Sequence, residues 1–228
     1  MSIIQFNLNN FESIRTGITR FGHNFFSKDL SQEIIMSEVT NSTTYFKELG
    51  EMNTARTIEL ARERAVKLGI HTILVASTSG TTGALAAQIL TGFELIVISH
   101  STGFRKPDVQ ELTDENRNLI EAGSARIFTG VHVFGGINRA IRLKYDTYQV
   151  DEIIANTLRI FGQGMKVAFE IAVMAADAGI VRTDTPIVCI TGTNVGADTA
   201  IALIPTHTQT FFDLKILEII CMPSPRHP

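Results

Sequence analysis

From Tyr45 onward the apolar positions fall into segments with helix or strand spacing. Tyr45 and Phe46 read as a short first strand. Ile58, Ala61, Ala65 and Leu68 keep the spacing of one buried helical face, which Asn53 or Thr54 can cap and Gly69 can end. Ile73 to Ala76 form a compact apolar run, Ala84 to Leu90 are apolar helix formers, and Glu94 to Ser99 make a second apolar run. Asp114 to Ala122 reads as a short helix closed by Gly123, and Arg126 to Thr129 as a third strand of the alternating pattern. Residues 135–145 and 151–161 read as helices, the second with Ile153, Ile154, Leu158 and Phe161 as its apolar face. Met165 to Ala178 is apolar nearly all round, which predicts a helix packed into the core and stopped by Gly179. Pro186 to Ile190, Thr199 to Ile204 before Pro205, and Leu217 to Cys221 read as strands. Strands trading places with helices predict an α/β fold, a three-layer, mostly parallel sheet with helices on both faces.

Residues 1–43 do not share this order. Phe11, Ile14, Ile18 and Phe21 allow an amphipathic turn or two, but no period is sustained, so a loosely docked or poorly ordered extension is expected ahead of a domain spanning 44–228. The scarcity of acidic residues before Asp29 suits a mitochondrial transit peptide, and a translated upstream extension with Met36 as the functional start is the plain alternative.

The chemistry-bearing stretch is the turn between the first apolar run and its helix. Ser77, Thr78, Ser79, Gly80, Thr81 and Thr82 include five hydroxyl side chains and a glycine. A strand entering a helix through such residues leaves the first helical amides unpaired at the positive end of the macrodipole, where an anion binds. The simpler reading is that Thr81 or Thr82 caps the helix and the other hydroxyls face water. A second glycine-and-hydroxyl turn, Thr191-Gly192-Thr193-Asn194-Val195-Gly196, follows a later strand and leads to Asp198 and Thr199. In an open parallel sheet ligands lie at the carboxyl ends of the strands, so two such turns suggest opposite walls of one crevice. His100, in the loop His100-Ser101-Thr102-Gly103-Phe104, is placed either to touch a ligand or to end its strand at the surface. Lys166 and Glu170 are one helical turn apart, and Asp177 shares their face. The spacing favours a narrow solvated stripe with a weak ion pair; the alternative is a polar edge pointing into the crevice.

Composition narrows the class. The 228 residues are 44% hydrophobic and 19% charged with a formal net charge of −3, which gives no electrostatic reason to expect nucleic acid or an anionic membrane as partner. No run is long and uncharged enough to span a bilayer. Cys189 and Cys221 lie in apolar runs without Cys or His neighbours at metal-ligand spacing, so buried free thiols, no metal site and a cytoplasmic location are expected.

Three stretches, Ile73 to Thr82 (ILVASTSGTT), Val188 to Thr199 (VCITGTNVGADT) and Glu218 to Pro223 (EIICMP), resemble the carboxyl-terminal α/β domain of pyruvate kinase. The likeness is closer to small stand-alone proteins built from that domain, in which His100 to Phe104, Phe161 to Lys166, Glu170 and Met174 to Asp177 have counterparts. The resemblance implies that Ser77 to Thr82 cradle a phosphate. It further implies bound flavin mononucleotide (FMN), its ring near His100, Thr102, Gly103 and Phe104 and near Thr191, Gly192, Asn194, Gly196 and Asp198, with Lys166 and Glu170 at the same crevice. Thr81 stands where the kinase loop often carries Arg, which removes a charge and weakens the case for a bisphosphate effector.

Pyruvate kinase activity itself is not expected, because its eight-stranded barrel needs roughly 200 to 250 residues. The expected function is binding of a phosphorylated small ligand, with a homo-oligomer compatible with it. One alternative is a phosphosugar isomerase, since Ser77-Thr78-Ser79-Gly80-Thr81-Thr82 also looks like the S-x-S-G-x-T loop of sugar isomerase domains. Glu170 or His207 would then be the candidate base. A non-catalytic regulatory module is the other.

Overall fold

The computed structural model describes residues 38–224, and the fold is that of the unit beginning at Ser42. The expected turn around Phe11, Ile14, Ile18 and Phe21, and the alternative start at Met36, lie outside the described residues. In chain order the elements are β1 (Thr44–Phe46), α1 (Thr54–Leu68), β2 (Thr72–Ala76), α2 (Thr81–Ile89), β3 (Glu94–His100), α3 (Asp114–Ala122) and β4 (Arg126–Gly130). They continue with α4 (Ile137–Tyr145), α5 (Val150–Leu158), α6 (Gln163–Asp177), β5 (Ile187–Thr191), β6 (Thr199–Ile204) and β7 (Lys215–Pro223).

The seven strands form one sheet in the order β1-β7-β6-β5-β2-β3-β4. It is parallel except at β6, which pairs antiparallel with both β5 and β7. β5 and β6 are joined by only a short loop, and a connection that short permits an antiparallel pair but not a parallel crossover. On one face α1, α2 and α3 bury Ile58, Ala61, Ala86 and Ile120 against Ile73, Val75, Val97 and Ile190. On the other, α6 buries Met165, Ala168, Ala172 and Ala175 against Leu74, Ile96, Cys189 and Ile201. Adjacent strand residues thus face opposite helical layers, as the period of two requires. Both cysteines are free and buried, and burial pushes the Cys221 thiol up to about 12. Among the described residues no helix is long and apolar enough to cross a membrane.

Three local expectations are corrected. Neither Asn53 nor Thr54 caps α1. Asn53 Nδ2 donates to the Glu48 carbonyl, and Thr54 Oγ1 donates to the Glu51 carbonyl while accepting the Ala197 amide at 2.9 Å. At the other end of α1, Leu68 is exposed, while Gly69 closes the helix in the left-handed region at φ 65°. The apolar face expected on residues 151–161 is not buried: Ile153 and Phe161 are each 56% exposed. α5 instead turns Glu152 and Ala155 inward, and Glu152 Oε1 accepts from Arg142 Nε of α4 at 2.5 Å.

The first turn of α6 approaches the sheet closely at Gly164. A Cβ there would lie 2.1 Å from Thr199 Oγ1 and 2.5 Å from Thr199 Cβ. Thr191 Oγ1 donates to the Gly164 carbonyl at 2.7 Å, which ties β5 to the same turn. Gly164→Ala is therefore expected to destabilise the fold by about 1–3 kcal/mol through overpacking. Urea unfolding measures this, and an unchanged midpoint would contradict the close packing.

Candidate ligand-binding site

Chain order moves outward from β2 through β3 to β4 and then returns to place β5 on the other side of β2. β2 is parallel to both neighbours, with Val75 opposite Val97 and Ile190. Their connections therefore leave the same edge of the sheet on either side of a reversal in strand order, where open α/β sheets form a crevice. A cavity of about 950 Å³ opens there, bordered by both expected turns.

At the β2–α2 turn the side chains build a cradle. Gly80 has φ 96° and occupies the N-cap position of α2. A Cβ on it would fall 2.4 Å from Leu112 Cδ1 and 2.5 Å from Asn116 Cβ. Ser77 Oγ, buried, accepts the Gly83 amide at 3.1 Å, and the Ala84 amide makes the first internal helical bond, to the Gly80 carbonyl, at 2.8 Å. The helix-initiating amides of Gly80, Thr81 and Thr82 are left without an internal acceptor. Neither Thr81 nor Thr82 caps the helix; Ser77 does so from a distance. The cradle is held to α3 by Asn116 Nδ2, which donates to the Ser79 carbonyl at 3.0 Å.

The second turn is braced by a buried carboxylate. Asp198 Oδ2 accepts the amides of Gly50 (2.8 Å) and Thr193 (3.2 Å), and Oδ1 accepts the Thr199 hydroxyl (2.8 Å). Gly192, Asn194 and Gly196 border the cavity, whereas Thr191 and Asp198 lie outside it, buried. These two residues, expected at the ligand, shape the turn instead. Their oxygens are taken up by backbone amides, the Thr199 hydroxyl and the Gly164 carbonyl.

On the other side of the β2–α2 turn from the second turn, where β3 and β4 leave the sheet, stands an aromatic cluster. The rings of His100, Phe104 and His132 pack mutually, with centroids 4.4, 4.7 and 4.5 Å apart. His100 Nδ1 lies 2.8 Å from Glu111 Oε2, so that nitrogen carries the proton it donates, and Nε2 faces the Thr78 hydroxyl at 3.2 Å. Thr102 and Gly103 do not border the cavity. They shape the exposed loop that presents Phe104 and Glu111, with the Gly103 amide donating to the Val109 carbonyl at 3.0 Å.

The Lys166–Glu170 pair is not a solvated stripe. Lys166 Nζ donates to Glu170 Oε2 at 2.5 Å with side chains only 10% and 3% exposed, and Glu170 Oε1 accepts the Phe134 amide at 3.3 Å. Both residues border the cavity. Burial lowers the Lys166 pKa against the pull of Glu170, with Arg159 and Arg139 lowering it further. Asp177, at the far end of α6, belongs elsewhere: it accepts from the Thr208 amide and hydroxyl and faces His207 Nδ1 at 3.3 Å. His207 does not border the cavity.

Sequence reasoning missed His132, Glu111, Arg139 and Arg159, all of which border the cavity. Their stretches are irregular or amphipathic, and only the tertiary fold brings them to strand ends.

A family model described as pyruvate kinase, alpha/beta domain matches residues 55–204, more than half of the chain. The chain belongs to that family. The pyruvate kinase alpha/beta domain match runs from α1 through β6 and contains both turns, the aromatic cluster and the buried ion pair. Among solved structures, a mutant of O-ureido-L-serine synthase with O-ureido-L-serine bound is similar at 20% identity and TM-score 0.28, covering 55% of this chain and 38% of that one. O-ureido-L-serine synthase itself is similar at 19% identity and TM-score 0.27, covering 55% and 39%. This chain thus spans well under half of the length of either.

In this pyruvate kinase alpha/beta domain, burial holds His132 neutral, its pKa lowered to about 4. The unfolded chain protonates that ring near 6.5. Between those values the unfolded state binds the extra proton, so stability falls as pH drops from about 6.5 to about 4, by at most about 3 kcal/mol from this group. Denaturation midpoints across that range are expected to decline less in His132→Asn than in wild type. Equal slopes would place the imidazole in water.

Proposed function

We propose that this chain binds FMN, with the phosphate on the β2–α2 cradle and the ring system against His100, Phe104 and His132. The observation that carries the reading is the cradle itself, a helix-initiating turn whose Ser79, Thr81 and Thr82 border a cavity that the inclined rings of His100, Phe104 and His132 also line. The volume of about 950 Å³ is ample for a ligand of that size. Ser79 and Thr81, exposed at the cradle, add hydroxyl donors, their oxygens 3.1 Å apart. The cradle carries no cationic side chain, which suits a monophosphate held by amides better than a bisphosphate. Bound there, FMN supplies one- or two-electron transfer. The protein's part is to grip the phosphate, present the His100 and His132 edges to the ring and keep Lys166 and Glu170 buried beside it. Gly192, Asn194 and Gly196 would form the opposite lip.

The isomerase alternative has less support. Both oxygens of Glu170 are engaged, and His207 sits outside the cavity beside Asp177. A base would have to be freed from its ion pair before taking a proton.

Titration of the purified protein with FMN and with riboflavin, followed by flavin fluorescence, tests this reading. Wild type is expected to bind FMN in the micromolar range or tighter. Thr81→Asp, an exposed change that sets a negative charge beside the cradle, should weaken FMN about tenfold or more while leaving riboflavin within about twofold. Absence of FMN binding at high micromolar concentration overturns the proposal, as does equal weakening of both ligands.

A further inference from the structure

Five cationic side chains border the cavity: Arg105, Arg139, Arg142, Arg159 and Lys166. Three of them face a carboxylate directly. Arg105 lies 3.1 Å from Glu111, Arg142 2.5 Å from Glu152 and Lys166 2.5 Å from Glu170. The other two do not. Arg139 stacks its guanidinium 4.6 Å from the centroid of Phe104, and among the described residues no carboxylate lies within ion-pair distance of it. Among the described residues Arg159 is held by neutral oxygens only, donating from Nε to Gln163 Oε1 at 2.8 Å and from Nη1 to Asn156 Oδ1 at 2.6 Å. Both guanidiniums act electrostatically on Lys166, so the two charges stand near one wall of the cavity. That wall is built from α4, α5 and the start of α6, not from the β2–α2 cradle.

Guanidiniums fixed on an aromatic face and on neutral side-chain oxygens, beside a buried ammonium, are pre-organised for an oxyanion and cost little side-chain entropy on binding. The cradle has its own, separate means of holding an anion. We infer that Arg139 and Arg159 form a second anion subsite in the cavity, which takes the carboxylate of a small co-ligand while the β2–α2 cradle holds the phosphate. The inference rests on the proposed phosphate role of the cradle, but not on the identity of the group that the phosphate carries. The same guanidiniums can accept a free phosphate, and the experiment separates the two sources.

Calorimetric titrations with inorganic phosphate and with pyruvate, each on free and on FMN-saturated protein, provide the test. Free wild type should take up phosphate at two sites, and FMN should remove one of them. FMN-saturated protein should still bind pyruvate, and should prefer it to phosphate at the remaining site. Arg139→Gln combined with Arg159→Gln should weaken pyruvate about tenfold or more and leave FMN within about twofold. Arg139→Lys, which keeps the charge but loses the planar stack, should weaken pyruvate by an intermediate factor and serves if the double variant does not fold. A preference for phosphate over pyruvate at the second site overturns the carboxylate assignment. Unchanged pyruvate binding in the arginine variants, or no pyruvate binding to wild type, overturns the subsite. If FMN does not bind while two phosphate sites are found, the flavin reading fails and the subsite stands. If FMN binds and no second anion does, the reverse holds.

Discussion

One hydrogen bond organises the candidate site: Ser77 Oγ accepts the Gly83 amide. A helix that follows a strand this directly has several initiating amides to satisfy, and a capping side chain normally takes one of them next to the first turn. Here the acceptor comes from the last buried residue of the strand exit, six positions before the amide it receives. Gly80 makes that geometry possible with a left-handed backbone and no Cβ to collide with Leu112 and Asn116. The hydroxyls of Ser79 and Thr81 are then free of capping duty and lie 3.1 Å apart at the cavity border, and the outermost amides keep no acceptor within the helix.

The rest of the molecule holds the surroundings of that turn in place. β2 lies between two parallel neighbours, so its exit faces the β5 exit across a reversal of strand order. Asp198 is spent entirely on bracing the second turn, and Gly164 lets α6 lie close enough to the sheet for Lys166 to reach the cavity. A buried ion pair such as Lys166–Glu170 adds little net stability, because both ions give up hydration. Its place at the cavity, with the Phe134 amide as a third partner, makes it a positional device more than a stabilising one.

Much of the fold was legible in the chain, because strand and helix segments are short, regular and bounded by glycine. α3 matched its expected bounds, and the parallel direction of β2, β3 and β4, though not their order in the sheet, followed from the alternation of elements. The two glycine-and-hydroxyl turns were legible as a pair, and both border the cavity. What escaped reading depended on tertiary choice. Lys166 and Glu170 have the spacing of a surface pair, and nothing local distinguishes that from a pair roofed by Phe134. Asp198 has the look of a ligand residue in its turn, yet backbone amides brought from Gly50 and Thr193 consume it. α5 was expected to bury its apolar face, and it buries Glu152 because Arg142 waits on α4. Such outcomes follow from partners far along the chain, which periodicity does not encode.

The most direct measurement on the central claim is the response of individual backbone amides to inorganic phosphate, followed by two-dimensional proton–nitrogen NMR on the labelled protein. The account predicts that the amides of Gly80, Thr81 and Thr82 shift downfield and saturably, while Gly83, already bonded to Ser77, moves little. Shifts confined to other segments, with those three amides unmoved, would contradict it.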